Sequence, residues 1–167
     1  MGDWQAGRGF RAMKNKYFPD EDIAANDIFF MCYMIERVAR KVHQPNKYVV
    51  NAIGEDGLYH EISCAQTSHC ENPEKIEQEW IEKYGLKTGS FDVLKVDHEL
   101  VAEPPTATQM GGVYDRLVRK TMSADETEVA ALIRVYNHPI CEQIDNYNGS
   151  MYYEPSDWLA SEYKRAS

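Results

Sequence analysis

Residues 28–35 read Ile-Phe-Phe-Met-Cys-Tyr-Met-Ile, eight apolar side chains in a row, and this run decides the fold class. Val38, Ala39 and Val42 continue the apolar pattern at helical spacing. A run this apolar also fits a buried strand, but its continuation to Val42 favours a helix inside the core. Pro45 cannot continue a helix and is expected to end this one.

Further helix signals follow toward the carboxyl end. Asn72 and Pro73 form an N-cap followed by proline at the first helical position. Ser123 and Glu126 have the spacing of a capping box, ahead of another apolar stripe. The sequence therefore predicts a mainly α protein, a compact multi-helix bundle with at most a short extended or β segment near residues 91–97.

Composition divides the chain into four parts. Residues 1–22 mix glycine with basic side chains and are expected to form a flexible basic arm. Residues 23–100 are an N-terminal helical region, residues 101–109 are a linker with two consecutive prolines, and residues 110–167 are a C-terminal helical region. The sequence leaves open whether the two helical regions share one core.

The negative charge of the chain is concentrated in one region. The chain carries 27 acidic and 18 basic residues, a formal net charge of −9, and residues 44–103 hold twelve of the acidic side chains against five basic ones. A protein that grips nucleic acid through its phosphates needs a basic face, so direct nucleic-acid binding is not expected. A basic protein partner is compatible with this charge.

Membrane and export signals are not recognised in the sequence. No run approaches the roughly 18 apolar residues needed to cross a bilayer, and the first residues do not read as a secretory signal. A cytoplasmic protein with no membrane partner is expected. The four cysteines, Cys32, Cys64, Cys70 and Cys141, are spread without a dense pattern and are expected to be reduced.

The acidic region supplies most of the predicted contact residues. Glutamates recur on the side of the helix after Pro73 that lies opposite its apolar residues, and tyrosine is common at protein interfaces. The residues predicted to bind a partner are Glu71, Glu74, Glu79, Glu82, Tyr152 and Tyr153.

Histidine and cysteine are the candidates for catalysis or metal binding. Cys64, His69 and Cys70 are close in sequence, and His138 and Cys141 have a ligand spacing, but the matched knuckles of structural zinc sites are missing. No glycine pattern resembles a phosphate-binding loop. No catalytic residue, metal ligand or cofactor is therefore assigned from the sequence.

Several stretches resemble a family of small uncharacterised bacterial proteins from Firmicutes-type genomes. They are DIFFMCYMIERVARKVHQPNKYVV and SHCENPEKIEQEWIEKYG in the first half, and GGVYDRLVRK and IRVYNHPICEQIDNYNGSMYYEPS in the second. The family occurs beside toxin, antitoxin and mobile-element genes, and the resemblance implies a role in such systems without catalytic residues. The shared Ile35, Glu36 and His69 are explained as a helix face and a packed ring.

The leading interpretation is a non-enzymatic protein-binding module, an acidic inhibitor of a basic, nucleic-acid-handling bacterial protein, antitoxin-like or anti-defence in role. Carboxylates along a rigid helix can imitate a row of phosphates. Two alternatives stay open. One is a small intracellular enzyme with a His, Cys and carboxylate site, for which His60, His69, Cys70 and His138 are candidates. The other is a homo-oligomeric scaffold, such as a homodimer paired through the C-terminal aromatic cluster that includes Tyr147.

Overall fold

The structure is a computed structural model that describes residues 13–14 and 22–167. The predicted basic arm, residues 1–22, lies almost entirely outside the described residues. Its described positions belong to two short antiparallel strands, β1 (Met13–Lys14) and β2 (Asp22–Ile23).

From residue 24 onward the described chain folds into eight α-helices and one 3-10 helix. The α-helices are α1 (Ala25–Val42), α2 (Asn46–Ser63), α3 (Ala65–Ser68), α4 (Pro73–Lys83), α5 (Ala107–Thr121), α6 (Glu128–Tyr136), α7 (Ile140–Ile144) and α8 (Ser156–Arg165), and the 3-10 helix is Met151–Tyr153. The mainly α bundle predicted from the sequence is confirmed. Within the described ranges, no helix has the length and apolar character that a membrane crossing requires.

Helix α1 lies at the centre of the bundle. It packs against α5, α2 and α4, because apolar residues lie on more than one side of it. Each large apolar side chain that is fully buried stabilises the fold by roughly 1.5–3 kcal/mol. The fully buried side chains of α1 include Ile28, Met31, Met34, Ile35 and Val38.

Helices α1 and α5 approach each other closely at Gly111. A Cβ atom at Gly111 would lie 3.0 Å from the Cα of Tyr33, so a side chain there would press against the backbone of α1. At the next residue, Gly112, a Cβ atom would meet the flexible guanidinium end of Arg116 instead. The two adjacent glycines therefore differ in what surrounds them.

The segment 101–109 joins two halves of one core. Val101 is buried, and the carbonyl of Pro105 accepts a hydrogen bond of 2.8 Å from Arg40 Nη2. Thr106 caps α5 by accepting a hydrogen bond from a backbone N–H, so the helix begins inside this segment. Apolar residues from both sides of the segment belong to a single hydrophobic core.

The region near residues 91–97, where the sequence allowed a short β segment, contains no strand. It is a loop that is held to the end of α1. The N–H of Gly89 donates to the carbonyl of Val42 at 2.8 Å, and the N–H of Phe91 donates to the next carbonyl along the chain at 3.0 Å. Val93 packs against the core from this loop.

Helix α6 begins later than the capping box predicts. Thr127 is its N-cap, and the helix starts at Glu128. Ser123 and Glu126 still contact each other, through a hydrogen bond of 3.4 Å, but they form the turn before the helix. The carboxylate of Glu126 is also paired with Arg134 at 2.7 Å, a contact that the local pattern does not reveal.

Candidate functional site

The four predicted glutamates Glu71, Glu74, Glu79 and Glu82 are exposed, in α4 and just before it. Lys75 lies among them, with its Nζ 3.2 Å from the carboxylate of Glu71 and 4.0 Å from that of Glu79. Exposed pairs of this kind contribute only a few tenths of a kcal/mol to stability. Lys75 nevertheless offsets part of the negative charge on this face.

The two predicted tyrosines lie on the 3-10 helix. Tyr153 is 67% exposed, whereas Tyr152 is half-buried and meets the ring of Tyr147 edge-on, with centroids 5.3 Å apart. The 3-10 helix packs against α5 and α7, and α4 packs against α1. The glutamates and the tyrosines are thus carried by different parts of the bundle, and their contact with a partner stays a prediction.

The histidine and cysteine candidates of the first half are not arranged as a catalytic pair. His60 Nε2 lies 3.9 Å from Cys64 Sγ, and burial raises the pKa of the Cys64 thiol, which disfavours the reactive thiolate. His69 meets the ring of Phe30 edge-on at 6.0 Å. Cys70 is exposed, and its thiol donates to a backbone carbonyl at 3.8 Å.

The candidates of the second half are held by structural contacts. His138 stacks on Tyr163 with ring centroids 4.0 Å apart, and burial lowers its pKa. The thiol of Cys141 donates to the carbonyl of Val135 at 3.0 Å, and burial, followed by the charge of Asp145, raises its pKa to about 12. In the described part of the chain, no three His, Cys, Asp or Glu side chains are grouped to hold a metal ion.

A cavity of about 530 Å³ lies between the start of α2, the loop at residues 91–95 and the stretch 136–148. Small-molecule sites in proteins usually enclose roughly 300–1,000 Å³. The lining of the cavity in this protein combines aromatic and apolar side chains with amides and charged groups. The lining residues include Phe91, Val93, Tyr136, Pro139, Asn46, Asn148, Lys47, Lys95, Asp92, Glu142, Asp145 and Tyr147.

Three of these residues, Asn46, Asp145 and Tyr147, belong to a hydrogen-bonded group with Glu36 and Arg40, which we call the polar cluster. Arg40 Nε donates to Glu36 Oε2 at 2.8 Å, and the Tyr147 hydroxyl donates to the same oxygen at 3.1 Å. Asn46 Nδ2 donates to Glu36 Oε1 at 3.0 Å and to Asp145 Oδ2 at 3.3 Å. One amide thus bridges two carboxylates.

Local structure explains how the polar cluster is assembled. Glu36 and Arg40 are one turn apart on α1, so their side chains lie on the same face. His43 ends α1 in the left-handed conformation, with φ 55°, and the chain turns so that Asn46 begins α2 beside Glu36. Asp145 is the C-cap of α7. The cluster therefore combines two consecutive helices, α1 and α2, with the distant end of α7.

Asp145 has an unusual electrostatic environment. Burial, followed by the negative charge of Glu36, raises its pKa well above the ordinary value. Tyr114, from α5, donates its hydroxyl to Asp145 Oδ1 at 2.7 Å. Among residues 24–167, no lysine or arginine forms a salt bridge with Asp145, whereas Glu36 has Arg40. Within these residues, the cation whose charge acts on Asp145 is Arg40, and its guanidinium is paired with Glu36.

Sequence reasoning missed this cluster. Glu36 entered only through the family resemblance, Tyr147 only as a member of an aromatic cluster, and Asn46 and Asp145 not at all. A signal was present in Glu36 and Arg40, since two charged residues interrupt an otherwise apolar stripe on a helix predicted to be buried. The hydrogen-bond partners of Glu36, however, lie 10 and 111 residues farther along the chain, at Asn46 and Tyr147, and no local pattern connects them.

Comparison of the chain with protein-family models, with curated proteins and with solved structures finds no match. The family resemblance of the sequence therefore stays a prediction, and function is inferred from the cavity and the polar cluster.

Proposed function

We propose that the protein is a non-catalytic binding protein whose cavity takes a small polar ligand. The observation that carries this proposal is a cavity of about 530 Å³ lined by members of a buried polar cluster. Ligand sites are typically concave and largely apolar, with a few polar groups that set the orientation of the ligand. Phe91 and Pro139 supply apolar walls here, and Asn46 and Asp145 supply polar groups.

The polar groups are held in place by the protein itself. Glu36 and Asn46 are only 1% and 5% exposed, and the hydrogen bonds of the cluster fix the side chains of Asn46 and Asp145. Buried networks whose members all have partners are rigid. A rigid site loses less conformational freedom when a ligand binds, which favours affinity.

Binding is proposed instead of catalysis because the reactive side chains beside the cavity are committed to the fold. Nδ1 of His138 accepts a hydrogen bond of 3.0 Å from the N–H of Ile140, and its ring is stacked. Cys141 carries a thiol that stays protonated at neutral pH. A nucleophile needs a depressed pKa and a free base within reach, and these contacts provide neither.

Nuclear magnetic resonance of the ¹⁵N-labelled protein tests the proposal. Small polar compounds of three kinds, neutral, anionic and cationic, are added in turn while the backbone amide resonances are followed. We expect at least one kind to shift the resonances of residues 45–47, 91–95 and 136–148 with saturation. If none of the three kinds does so, the proposal is wrong.

Two neighbouring loop residues give a matched pair of variants for this experiment. Val93 lines the cavity and is half-buried, while the next residue, Leu94, is 40% exposed. Val93→Trp should fill the cavity and abolish the ligand-induced shifts, and Leu94→Trp should leave them intact. If both variants abolish the ligand-induced shifts, or if both leave them intact, the ligand does not bind beside Val93.

A second candidate function is binding of a basic bacterial protein through the glutamates of α4. The favouring observation is that Glu71, Glu74, Glu79 and Glu82 are all exposed on a chain of net charge −9. Complementary charge raises association rates and disfavours acidic competitors. In this role the protein is the antitoxin-like or anti-defence inhibitor that the family resemblance implies.

Charge reversal tests the second candidate. One double variant carries Glu74→Lys and Glu82→Lys. A control double variant carries Glu99→Lys and Glu103→Lys and so reverses the charge of two other exposed carboxylates. The tagged proteins capture partners from a nuclease-treated bacterial lysate at low and high salt. We expect a basic protein to be retained at low salt, weakened by high salt and lost only with the α4 variant. Retention by the α4 variant would contradict this function.

A further inference from the structure

We infer that the group recognised by the cavity is an organic cation, a primary ammonium or a guanidinium, and that it contacts the carboxylate of Asp145. The inference rests on the proposed ligand-binding function and names the chemistry of the ligand. Asp145 is the residue to which we assign this contact.

The charges of the polar cluster do not balance. The cluster holds two carboxylates but only one guanidinium, and Arg40 is paired with Glu36 at 2.8 Å. Asp145 accepts hydrogen bonds from two neutral groups, the hydroxyl of Tyr114 at 2.7 Å and the amide of Asn46 at 3.3 Å. Arg40 is close enough for its charge to act on Asp145, but an ionised Asp145 still leaves the polar cluster, among residues 24–167, with one negative charge in excess.

Partial burial makes this excess charge unfavourable, because a carboxylate packed against protein loses part of its hydration. The neighbouring Glu36 adds repulsion, and both effects raise the pKa of Asp145. In the absence of a cation, a proton on Asp145 relieves the imbalance. A ligand cation within about 4–6 Å can replace that proton, since an opposite charge at this distance favours the ionised carboxylate.

Asp145 retains the capacity to accept further hydrogen bonds. An ionised carboxylate offers about four lone-pair positions, and the two hydrogen bonds from Tyr114 and Asn46 use two of them. Asp145 is only half-buried and lines the cavity. Ammonium and guanidinium groups carry several N–H donors, so they suit such an acceptor and form the stronger, charge-assisted kind of hydrogen bond.

The other charged residues of the lining do not reverse the preference of the cavity for a cation. Lys47 and Lys95 are matched in number by Asp92 and Glu142, and all four are exposed, where water and salt screen their fields. The remaining unmatched charge is that of Asp145. The ring of Phe91 also lines the cavity, and the face of an aromatic ring attracts cations.

The test compares ligands that differ in one charged group. Tyramine is compared with tyrosol, and 4-aminobutan-1-ol with butane-1,4-diol, so that in each pair one ammonium replaces one hydroxyl on the same carbon frame. Dissociation constants are measured by following the amide resonances of residues 136–148. We expect at least one amine to bind at least about tenfold tighter than its alcohol, a difference of about 1.4 kcal/mol. An alcohol that binds as tightly as its amine in both pairs would overturn the inference.

Two variants locate the contact. Asp145→Asn keeps the shape of the side chain and removes its charge, and we expect it to reduce the preference for the amine to within about twofold. Glu103→Gln removes an exposed charge from the segment 101–109, outside the cavity lining, and should leave the preference unchanged. A preference that survives Asp145→Asn, or that falls equally in both variants, would contradict recognition by Asp145. The comparison of amine with alcohol in the unmodified protein does not depend on how the variants fold.

The experiment separates this inference from the proposed function. If neutral or anionic compounds shift the cavity resonances and the amines do not, the protein binds a ligand in the cavity but the cation inference is wrong. If no compound of any kind shifts them, both fail.

Discussion

The ionisation of Asp145 affects both the charge of the cavity and the stability of the fold. Its carboxylate lies near Glu36, and burial together with that neighbour raises its pKa. A raised pKa of an acid in the folded state means that the folded protein holds its proton to higher pH than the unfolded chain does. Ionisation of Asp145 therefore opposes folding at neutral pH.

Asp145→Asn is expected to stabilise the ligand-free protein at pH 7 and to have little effect below about pH 3, where aspartate is largely protonated in both states. As the pH rises above the pKa of the unfolded chain, the unfolded state ionises first, and the unmodified protein loses stability relative to the variant. The loss is complete once the pH exceeds the folded-state pKa. Urea denaturation of both proteins across this pH range measures the difference in the free energy of unfolding.

Asp92→Asn is the matched control for this prediction, because Asp92 lines the same cavity but is exposed. It should change the free energy of unfolding little at any pH, as surface substitutions usually do. A stability difference for Asp145→Asn that is constant with pH would show that the substitution acts through packing and not through ionisation.

At the level of helices, the contact between α1 and α5 is set by the small residue at Gly111. The backbone of Tyr33 fills the space that a Cβ atom would need. This contact also bears on the polar cluster, because α1 supplies Glu36 and Arg40 while α5 supplies Tyr114. A change in the spacing of the two helices would therefore alter the groups around the cavity.

Gly111→Ala and Gly112→Ala separate this packing effect from helix propensity. Both glycines lie in α5, so alanine should favour the helix by up to about 1 kcal/mol at either position. At Gly111 the new methyl group meets backbone atoms of α1, and overpacking of this kind costs about 1–3 kcal/mol. We expect Gly111→Ala to be the less stable variant by about that amount in thermal or urea unfolding. Equal stability of the two variants would mean that α1 and α5 move apart without cost.

On the scale of the whole molecule, the apolar residues of both helical regions form one core that continues across the segment 101–109. Helix α1 touches α2 and α4 from the first region and α5 from the second. A domain with one continuous core is expected to unfold in a single cooperative transition.

Leu58→Ala and Leu117→Ala test this cooperativity from opposite sides of the segment. Both leucines are buried, at 0% and 1% exposure, and each substitution should lower the free energy of unfolding by about 2–5 kcal/mol. Tryptophan fluorescence and far-ultraviolet circular dichroism should show one shared transition that moves in both variants. Separate transitions, with each variant moving only one of them, would mean that the two regions unfold independently.

The mainly helical fold was accessible from the sequence because its signals are local. The apolar run at residues 28–35 lies in α1, and Asn72 accepts a hydrogen bond of 3.0 Å from the N–H of Glu74 at the start of α4, as the N-cap pattern predicts. The start of α6 was misplaced because Thr127, whose hydroxyl accepts a hydrogen bond of 3.1 Å from the N–H of Ala130, caps the helix instead of Ser123. The β segment allowed at residues 91–97 is a loop because its hydrogen-bond acceptors lie at the end of α1 and not in a neighbouring strand.

The sequence by itself determined the helical class, the positions of the main helices and the regional excess of negative charge, since each depends on neighbouring residues or on composition alone. Only the tertiary structure decided that the two helical regions share one core and that a cavity forms beside the polar cluster. Asp145 is far in sequence from Glu36 and Asn46, and neither Asn46 nor Asp145 has a local pattern that marks a site. The electrostatic character of Asp145 arises from burial and from a second carboxylate that only folding brings near it.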